Sequence, residues 1–245
     1  MSDFAAILAR ARQGEIVHLQ GDHLLRPVVT VLTETLQAAL GTTMSLDQAF
    51  PTLSWETYSA ALQTMAAALD ESQAHYLVFE RALAAVRACE SVLQIRFDKS
   101  LRAGLADAGA SNYGYPAHRD SWFDLAPDGV NIVLYLTAVP YYGNTAFYLD
   151  FFGRDVPYDS ASRVLLDSSA LRRVTALTCQ AGDCLVFSGE QLHSGAPVRV
   201  DRLSVEFRLS RMATGGRPDE GIIYRPFHET GDAAGMVFGT IPESP

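Results

Sequence analysis

Before residue 92 the apolar positions recur at helical spacing, and beyond it they fall into short, partly alternating runs of strand length. Leu24 to Leu40 predicts one helix, with Pro27 tolerated in a first turn and Gly41-Thr42-Thr43 behind it. Ser54 to Glu71 predicts a second, separated from the first by Phe50-Pro51-Thr52. A third covers Gln73 to Cys89, where Leu77, Val78, Arg81, Ala82, Ala85 and Val86 form a stripe. Strands are expected at Val92 to Phe97, Val130 to Val139, Arg173 to Thr178, Cys184 to Ser188 and Arg202 to Ser210. Helices first and many short strands afterwards imply an α+β protein whose sheet is closed or folded on itself. The segment from Thr214 carries several Gly and Pro and reads as an ordered loop or flap. With no internal repeat and no linker, the expectation is one domain: a helical support over 1–91, a strand core over 92–212 and a C-terminal loop over 213–245.

Composition narrows the function classes. A chain of 245 residues with 48% apolar and 19% charged positions can bury its own core without a structural metal or disulfides. A net charge of −9 without any basic run argues against nucleic acid and anionic membrane surfaces as partners. No apolar run reaches the roughly 18 residues of a membrane span. The start, Met1-Ser2-Asp3-Phe4, lacks a basic region before an apolar core, so no secretory signal is expected. Cys89, Cys179 and Cys184 cannot all pair and lack zinc-ligand spacing, which leads to the expectation of reduced thiols in the cytoplasm.

Three stretches carry chemistry. In Tyr115-Pro116-Ala117-His118-Arg119-Asp120-Ser121-Trp122, a strand would turn His118 and Asp120 to the same face, an imidazole and a carboxylate aimed at one point. Alone, His-x-Asp is a common pair of wet polar residues. The second stretch, Gly182-Asp183-Cys184-Leu185-Val186-Phe187, leads through small residues to His193. A single histidine there is also the mark of a hydrogen-bonded structural residue. The third alternates: Arg202, Ser204, Glu206 and Arg208 share one face, with Leu203, Val205, Phe207 and Leu209 on the other. That pattern also suits a solvated edge, but a guanidinium with a serine two residues on can grip a carboxylate.

In this order, His118-x-Asp120, then His193, then Arg202-x-Ser204, the chain resembles the iron(II)/2-oxoglutarate-dependent dioxygenase superfamily, and within it the phytanoyl-CoA dioxygenase-like branch. The resemblance covers approximately residues 92 to 212 and includes Asp124-Leu125-Ala126-Pro127-Asp128-Gly129-Val130-Asn131. It implies a double-stranded β-helix (jelly-roll, cupin-like) with the N-terminal helices as buttress. It also implies Fe(II) held by His118, Asp120 and His193, with 2-oxoglutarate and O2 as cosubstrates and succinate and CO2 as coproducts. The far carboxylate of 2-oxoglutarate would meet Arg202 and Ser204, with Arg208 as the alternative anchor. Halogenating relatives replace the metal carboxylate by a small residue. The presence of Asp120 therefore leaves hydroxylation, desaturation or ring formation on a small molecule, such as an amino acid or a secondary-metabolite intermediate.

Asn131, Val133 and Tyr135 would share a strand face, which lets Asn131 and Tyr135 touch cosubstrate or substrate, although Tyr135 is equally a core tyrosine. Trp122 and Phe123 are candidate walls of a substrate pocket or plain packing, and His228 is a candidate substrate contact. Arg119 is expected to point away from the metal into a surface or loop ion pair. His18, His23 and His75 have no partner at ligand spacing and are read as ordinary. Two other readings stay open: a jelly-roll that binds metal without catalysis, and an iron oxidase that does not use 2-oxoglutarate. Substrate and oligomeric state are not legible.

Overall fold

Phe4, Ile7, Leu8 and Ala11 recur at i, i+3, i+4 and i+7, and the chain winds there into helix α1 (Phe4–Arg12), which buries all four. A short strand β1 (Val17–Leu19) and helix α2 (Arg26–Leu40) follow. Helix α2 carries Pro27 in its first turn and buries Val28, Val29, Leu32 and Leu36. It stops at Gly41, whose φ of 62° lets its N–H turn back to Ala38 O while Thr42 N reaches Gln37 O. The computed structural model describes residues 4–49, 52, 88–96, 117–123, 128–169, 171, 174–195, 202–210 and 223–228, with the backbone alone for 88–96, 210 and 223–228.

The remaining described elements are α3 (Leu46–Ala49), β2 (Ala88–Arg96), β3 (Val130–Tyr135), β4 (Ala146–Phe147), β5 (Tyr158–Asp159), β6 (Val164–Leu165), β7 (Cys184–Ser188), β8 (His193–Ser194), β9 (Arg202–Ser210) and β10 (Ile223–His228). Six strands form one sheet in the order β1-β7-β3-β9-β2-β10. All its ladders are antiparallel except the parallel β10·β2 pair. Alternation sorts the side chains. Val130, Ile132 and Leu134 of β3, Cys184 and Val186 of β7, and Leu203, Val205, Phe207 and Leu209 of β9 pack in one cluster with the apolar stripes of α1 and α2. The opposite face carries Val133 and Tyr135 of β3 with Leu185 and Phe187 of β7, and these meet Val139, Phe147 and Cys179 in a second cluster. Short pairings lie over this second face: β4 with β8, and single bridges His118·His193, Phe147·Thr175 and Val139·Cys179.

The turn into β7 requires a glycine. Gly182 has φ +92°, where side chains rarely sit, and its N–H reaches Tyr135 O at 2.7 Å. Beside it, His18 Nε2 meets Asp183 Oδ2 at 3.0 Å and His23 Nε2 donates to Gly182 O at 2.8 Å. These histidines, ordinary by sequence spacing, thus fasten β1 and the segment before α2 to the start of β7.

Several expectations need correction. Helix α1 and strand β1 were not foreseen, and β1 forms a sheet edge from within the stretch expected to be helical. Ala88 and Cys89 belong to β2 and not to the end of a helix, because their backbones pair with Ser210 and Leu209. The run Val130 to Val139 is a strand only to Tyr135, and Thr175 contributes a single bridge where a strand over 173–178 was expected. Part of the C-terminal stretch read as loop is strand β10. The helix expected at Ser54 to Glu71, most of the one expected at Gln73 to Cys89, His75 and the rest of 213–245 lie outside the described residues. No helix among the described residues is long and apolar enough to cross a membrane.

Leu36 is fully buried between α2 and the sheet. Leu36→Ala is expected to lower unfolding free energy by about 2–5 kcal/mol, read by chemical denaturation, since both transfer energy and cavity formation count against it.

Candidate metal centre

Two imidazoles and a carboxylate converge. His118, Asp120 and His193 are all buried, and each offers a donor atom within 4.8 Å of the others. The bridge between His118 and His193 is a reciprocal backbone pair, with His118 N to His193 O at 2.9 Å and His193 N to His118 O at 3.0 Å. Residues so paired present side chains to the same side, and the two rings lie 4.4 Å apart. Asp120 arrives differently from the sequence expectation: it opens the 3-10 turn Asp120–Phe123 instead of continuing a strand. The turn swings its carboxylate between the imidazoles, with Oδ1 3.7 Å from His118 Nε2 and Oδ2 3.6 Å from His193 Nε2. Donors bonded to one ion at about 2.1 Å stand about 3–3.5 Å apart, so small shifts would bring these atoms around a shared cation.

The protonation states suit ligands. His193 Nδ1 lies 2.9 Å from Gln191 O; a carbonyl only accepts, so Nδ1 carries the hydrogen and Nε2 keeps its lone pair facing Asp120. Burial pushes the His193 imidazole down to about 4; His118 and Arg208 add to this, while Asp120 and the Gln191 carbonyl oppose it. Burial alone would raise the proton affinity of Asp120. The charge of Arg208, with His193 and His118, outweighs it and holds the carboxyl far below the usual range. At neutral pH His193 is therefore a neutral imidazole and Asp120 a carboxylate. Asn131 Nδ2 also donates to Asp120 Oδ2, and Arg208 Nη2 lies 3.6 Å from Asp120 Oδ1. His193 rests edge-on against Phe187 at 5.2 Å, at the end of the apolar cluster between the layers.

Strand β9 brings its polar face to the same layer. The register sets Asn131 opposite Arg208, Val133 opposite Glu206 and Tyr135 opposite Ser204. Arg202, Ser204 and Glu206 are buried, which excludes the solvated-edge reading of this face. The two arginines lie about 20 Å apart along the strand and have different company. Arg208 meets two carboxylates, Asp120 and, through Nε, Glu206 Oε1 at 2.8 Å. Arg202 Nη1 lies 3.5 Å from Asn144 Oδ1, which also accepts from Tyr135 O–H at 2.6 Å. Burial lowers the proton affinity of Arg202, with Tyr135 and Glu206 working against that shift. Ser204 Oγ and Asn131 Oδ1 are buried without a hydrogen-bond partner among the described residues.

The other sequence candidates separate. Phe123 stands edge-on to His118 at 5.3 Å, with the Arg163 guanidinium 5.4 Å from its ring centre. Trp122 stacks flat on Tyr158 at 4.3 Å and packs with Ala117, Tyr148 and Leu192. The side chain of His228 lies outside the described ones. Sequence reasoning missed Asn144, which joins Tyr135 and Arg202, and Gln191, which orients His193; polar residues in turns gave no signal for either. Arg119 forms the expected loop ion pair, with Glu190 Oε2 at 3.5 Å, but its burial and its bonds to main-chain carbonyls were not foreseen.

A second group, His18, Cys179 and Asp183, also converges. There Asp183 Oδ2 accepts from His18 and from Gln180 N, and burial pushes the Cys179 thiol up to about 12. This arrangement fastens β1 to the turn before β7. Cys179 and Cys184 are both free thiols.

No protein family and no curated protein matches the chain. Among solved structures it is similar to the epimerase SnoN in complex with Fe3+, alpha ketoglutarate and nogalamycin RO, at 17% identity over 93% of this chain and 97% of that one, with a TM-score of 0.47. It is also similar to iron-bound HygX from Streptomyces hygroscopicus, at 13% identity over 86% of each chain and a TM-score of 0.44. The carbocyclase SnoK from nogalamycin biosynthesis gives 14% identity over 86% and 84%, with a TM-score of 0.42.

Proposed function

We propose that the chain is an Fe(II)/2-oxoglutarate-dependent oxygenase of small-molecule metabolism, with His118, Asp120 and His193 as the metal ligands. The observation that carries this reading is the convergence of two imidazoles and one carboxylate, a donor set that suits Fe(II) and leaves positions open. The pairings β2·β9·β3·β7 in one layer and 118·193·147·175 in the other support a double-stranded β-helix as the scaffold. The motif order supports the phytanoyl-CoA dioxygenase-like branch, and the unpaired buried thiols suit the cytoplasm.

The polar face of β9 supports 2-oxoglutarate as the cosubstrate. Ser204 Oγ is a buried hydroxyl without a hydrogen-bond partner among the described residues, and it shares a strand face with Arg202. The Arg202–Ser204 pair on one strand face supports Arg202 as the anchor for the far carboxylate, and the contacts of Arg208 with Asp120 and Glu206 support a role for it at the metal end. Bound Fe(II), with 2-oxoglutarate and O2, supplies the oxidising power, and succinate and CO2 leave. The protein's residues orient and exclude water. Gln191 fixes the tautomer of His193, Asn131 and Arg208 hold the Asp120 carboxylate, and Tyr135 with Asn144 steadies Arg202. Phe123 walls the metal side, where the substrate's C–H bond would lie, whereas Trp122, beside it in sequence, packs on Tyr158. Placement of that bond decides between hydroxylation, desaturation and ring closure.

Anaerobic protein given Fe(II) and 2-oxoglutarate is expected to develop a weak visible charge-transfer band, and in air to convert 2-oxoglutarate to succinate. Folded, iron-loaded protein that shows neither would sink the proposal. Oxygen uptake without 2-oxoglutarate would favour an iron oxidase instead.

A further inference from the structure

The residue between His118 and Asp120 is itself tied down. Arg119 is only 7% exposed, and its Nη2 donates to two main-chain carbonyls, Phe151 O at 2.7 Å and Arg154 O at 2.6 Å. Its Nη1 reaches Glu190 Oε2 at 3.5 Å, and its guanidinium lies 5.9 Å from the Trp122 ring centre. Both carbonyls belong to the turn Leu149–Phe151 and the residues just after it. That turn follows Tyr148, whose N–H donates to Leu192 O at 3.0 Å beside His193. Glu190 precedes Gln191, whose carbonyl orients the His193 ring. A single guanidinium thus joins the segment carrying two ligands to both approaches of the third.

Such a tie matters because Asp120 lacks a strand to hold it. His118 is fixed by its backbone pairing with His193, but among the described residues the following turn has only the Ser121 N–H to Gly189 O bond, at 3.3 Å, as a backbone tie to the His193 side. We infer that Arg119 is a positioning residue: it sets the Asp120 carboxylate relative to the two imidazoles by clamping its turn to the 148–154 segment. The planar fork allows one nitrogen to serve both carbonyls while the other faces Glu190, which a lysine ammonium on a flexible stem cannot match.

This inference rests on the metal-centre reading, and the experiment separates the two. Co(II), whose visible spectrum reports its coordination, is titrated into the full-length wild type and the Arg119→Gln, Arg119→Lys and Leu36→Ala variants. Arg119→Gln is expected to weaken Co(II) binding about 10–100-fold and to change the spectrum of the saturated site. Arg119→Lys should recover part of both. Leu36→Ala, on the far side of the large sheet, should lower the melting temperature yet leave affinity within about twofold and the spectrum unchanged. Arg119 has no positioning role if Arg119→Gln binds within that margin with the wild-type spectrum, or if Leu36→Ala alters binding to the same degree. Where Arg119→Gln does not fold, a wild-type spectrum and affinity in Arg119→Lys overturn the inference equally. Wild type that does not bind Co(II) overturns the metal centre as well.

Discussion

Asp120→Ala is expected to weaken Fe(II) binding by at least about a hundredfold and to abolish succinate formation, in a protein that stays folded. The carboxylate is the one anion among the three proposed ligands. Its removal leaves a doubly charged ion between two imidazoles, with the Arg208 guanidinium, which had faced the Asp120 carboxylate at 3.6 Å, repelling it. That guanidinium keeps its bond to Glu206 Oε1, so the variant does not strand a buried cation and the fold survives. Asp120→Asn separates charge from shape. Its amide oxygen can still face the ion, and binding should fall less than in the alanine variant. The measurement is a competition titration against a chelator under anaerobic conditions, with circular dichroism as the check on folding. Alanine-variant affinity within about tenfold of wild type, a difference of only about 1.4 kcal/mol, would exclude Asp120 as a ligand.

The parts of this site that were legible in the sequence are those where side-chain periodicity is imposed by burial on both sides of a strand. Cys184–Ser188 and Arg202–Ser210 were bounded correctly because their apolar faces had to match the stripes of α1 and α2. The polar face of β9 was ambiguous, because charge alternation looks the same at a solvated edge and in a closed interior. Only the covering layer at 147 and 193 decides between them. Helix α1 carried a readable stripe but is barely two and a half turns long, where propensity is weak and packing supplies the stability. Strand β1 has three residues, too few for any period to show. Tertiary closure hid the remainder. His18 finds Asp183 from the other end of the domain core, and Asn144 becomes a junction only once the turn at Tyr141–Gly143 faces β9. The ion pair of Arg119 was expected and its burial was not: a charged residue is assigned to solvent by default, whereas a guanidinium can be buried when main-chain carbonyls take its hydrogens.

Arg202→Ala is expected to raise the Kd and KM for 2-oxoglutarate by about 100- to 1,000-fold while leaving Fe(II) affinity nearly unchanged. A guanidinium–carboxylate contact in a dry site contributes about 3–4 kcal/mol when two charge-assisted hydrogen bonds are made, which converts to that range. The separation from metal binding follows from geometry, because Arg202 sits by Tyr135 and Asn144, well along β9 from the residues that touch Asp120. Ser204→Ala should act in the same direction but by only about tenfold, since one neutral hydroxyl is lost. Arg208→Ala should show the converse pattern: weakened control of the Asp120 carboxylate, and hence altered metal binding, with a smaller change in cosubstrate affinity at saturating metal. Lysine at 202 restores the charge without the fork and should recover only part of the loss. These variants are compared by the anaerobic charge-transfer band, titrated first with Fe(II) and then with 2-oxoglutarate. Should Arg208→Ala lose 2-oxoglutarate while Arg202→Ala keeps it, the assignment of the two arginines is reversed. The anchor then lies at the metal end of β9, and the buried Ser204 hydroxyl faces some other ligand.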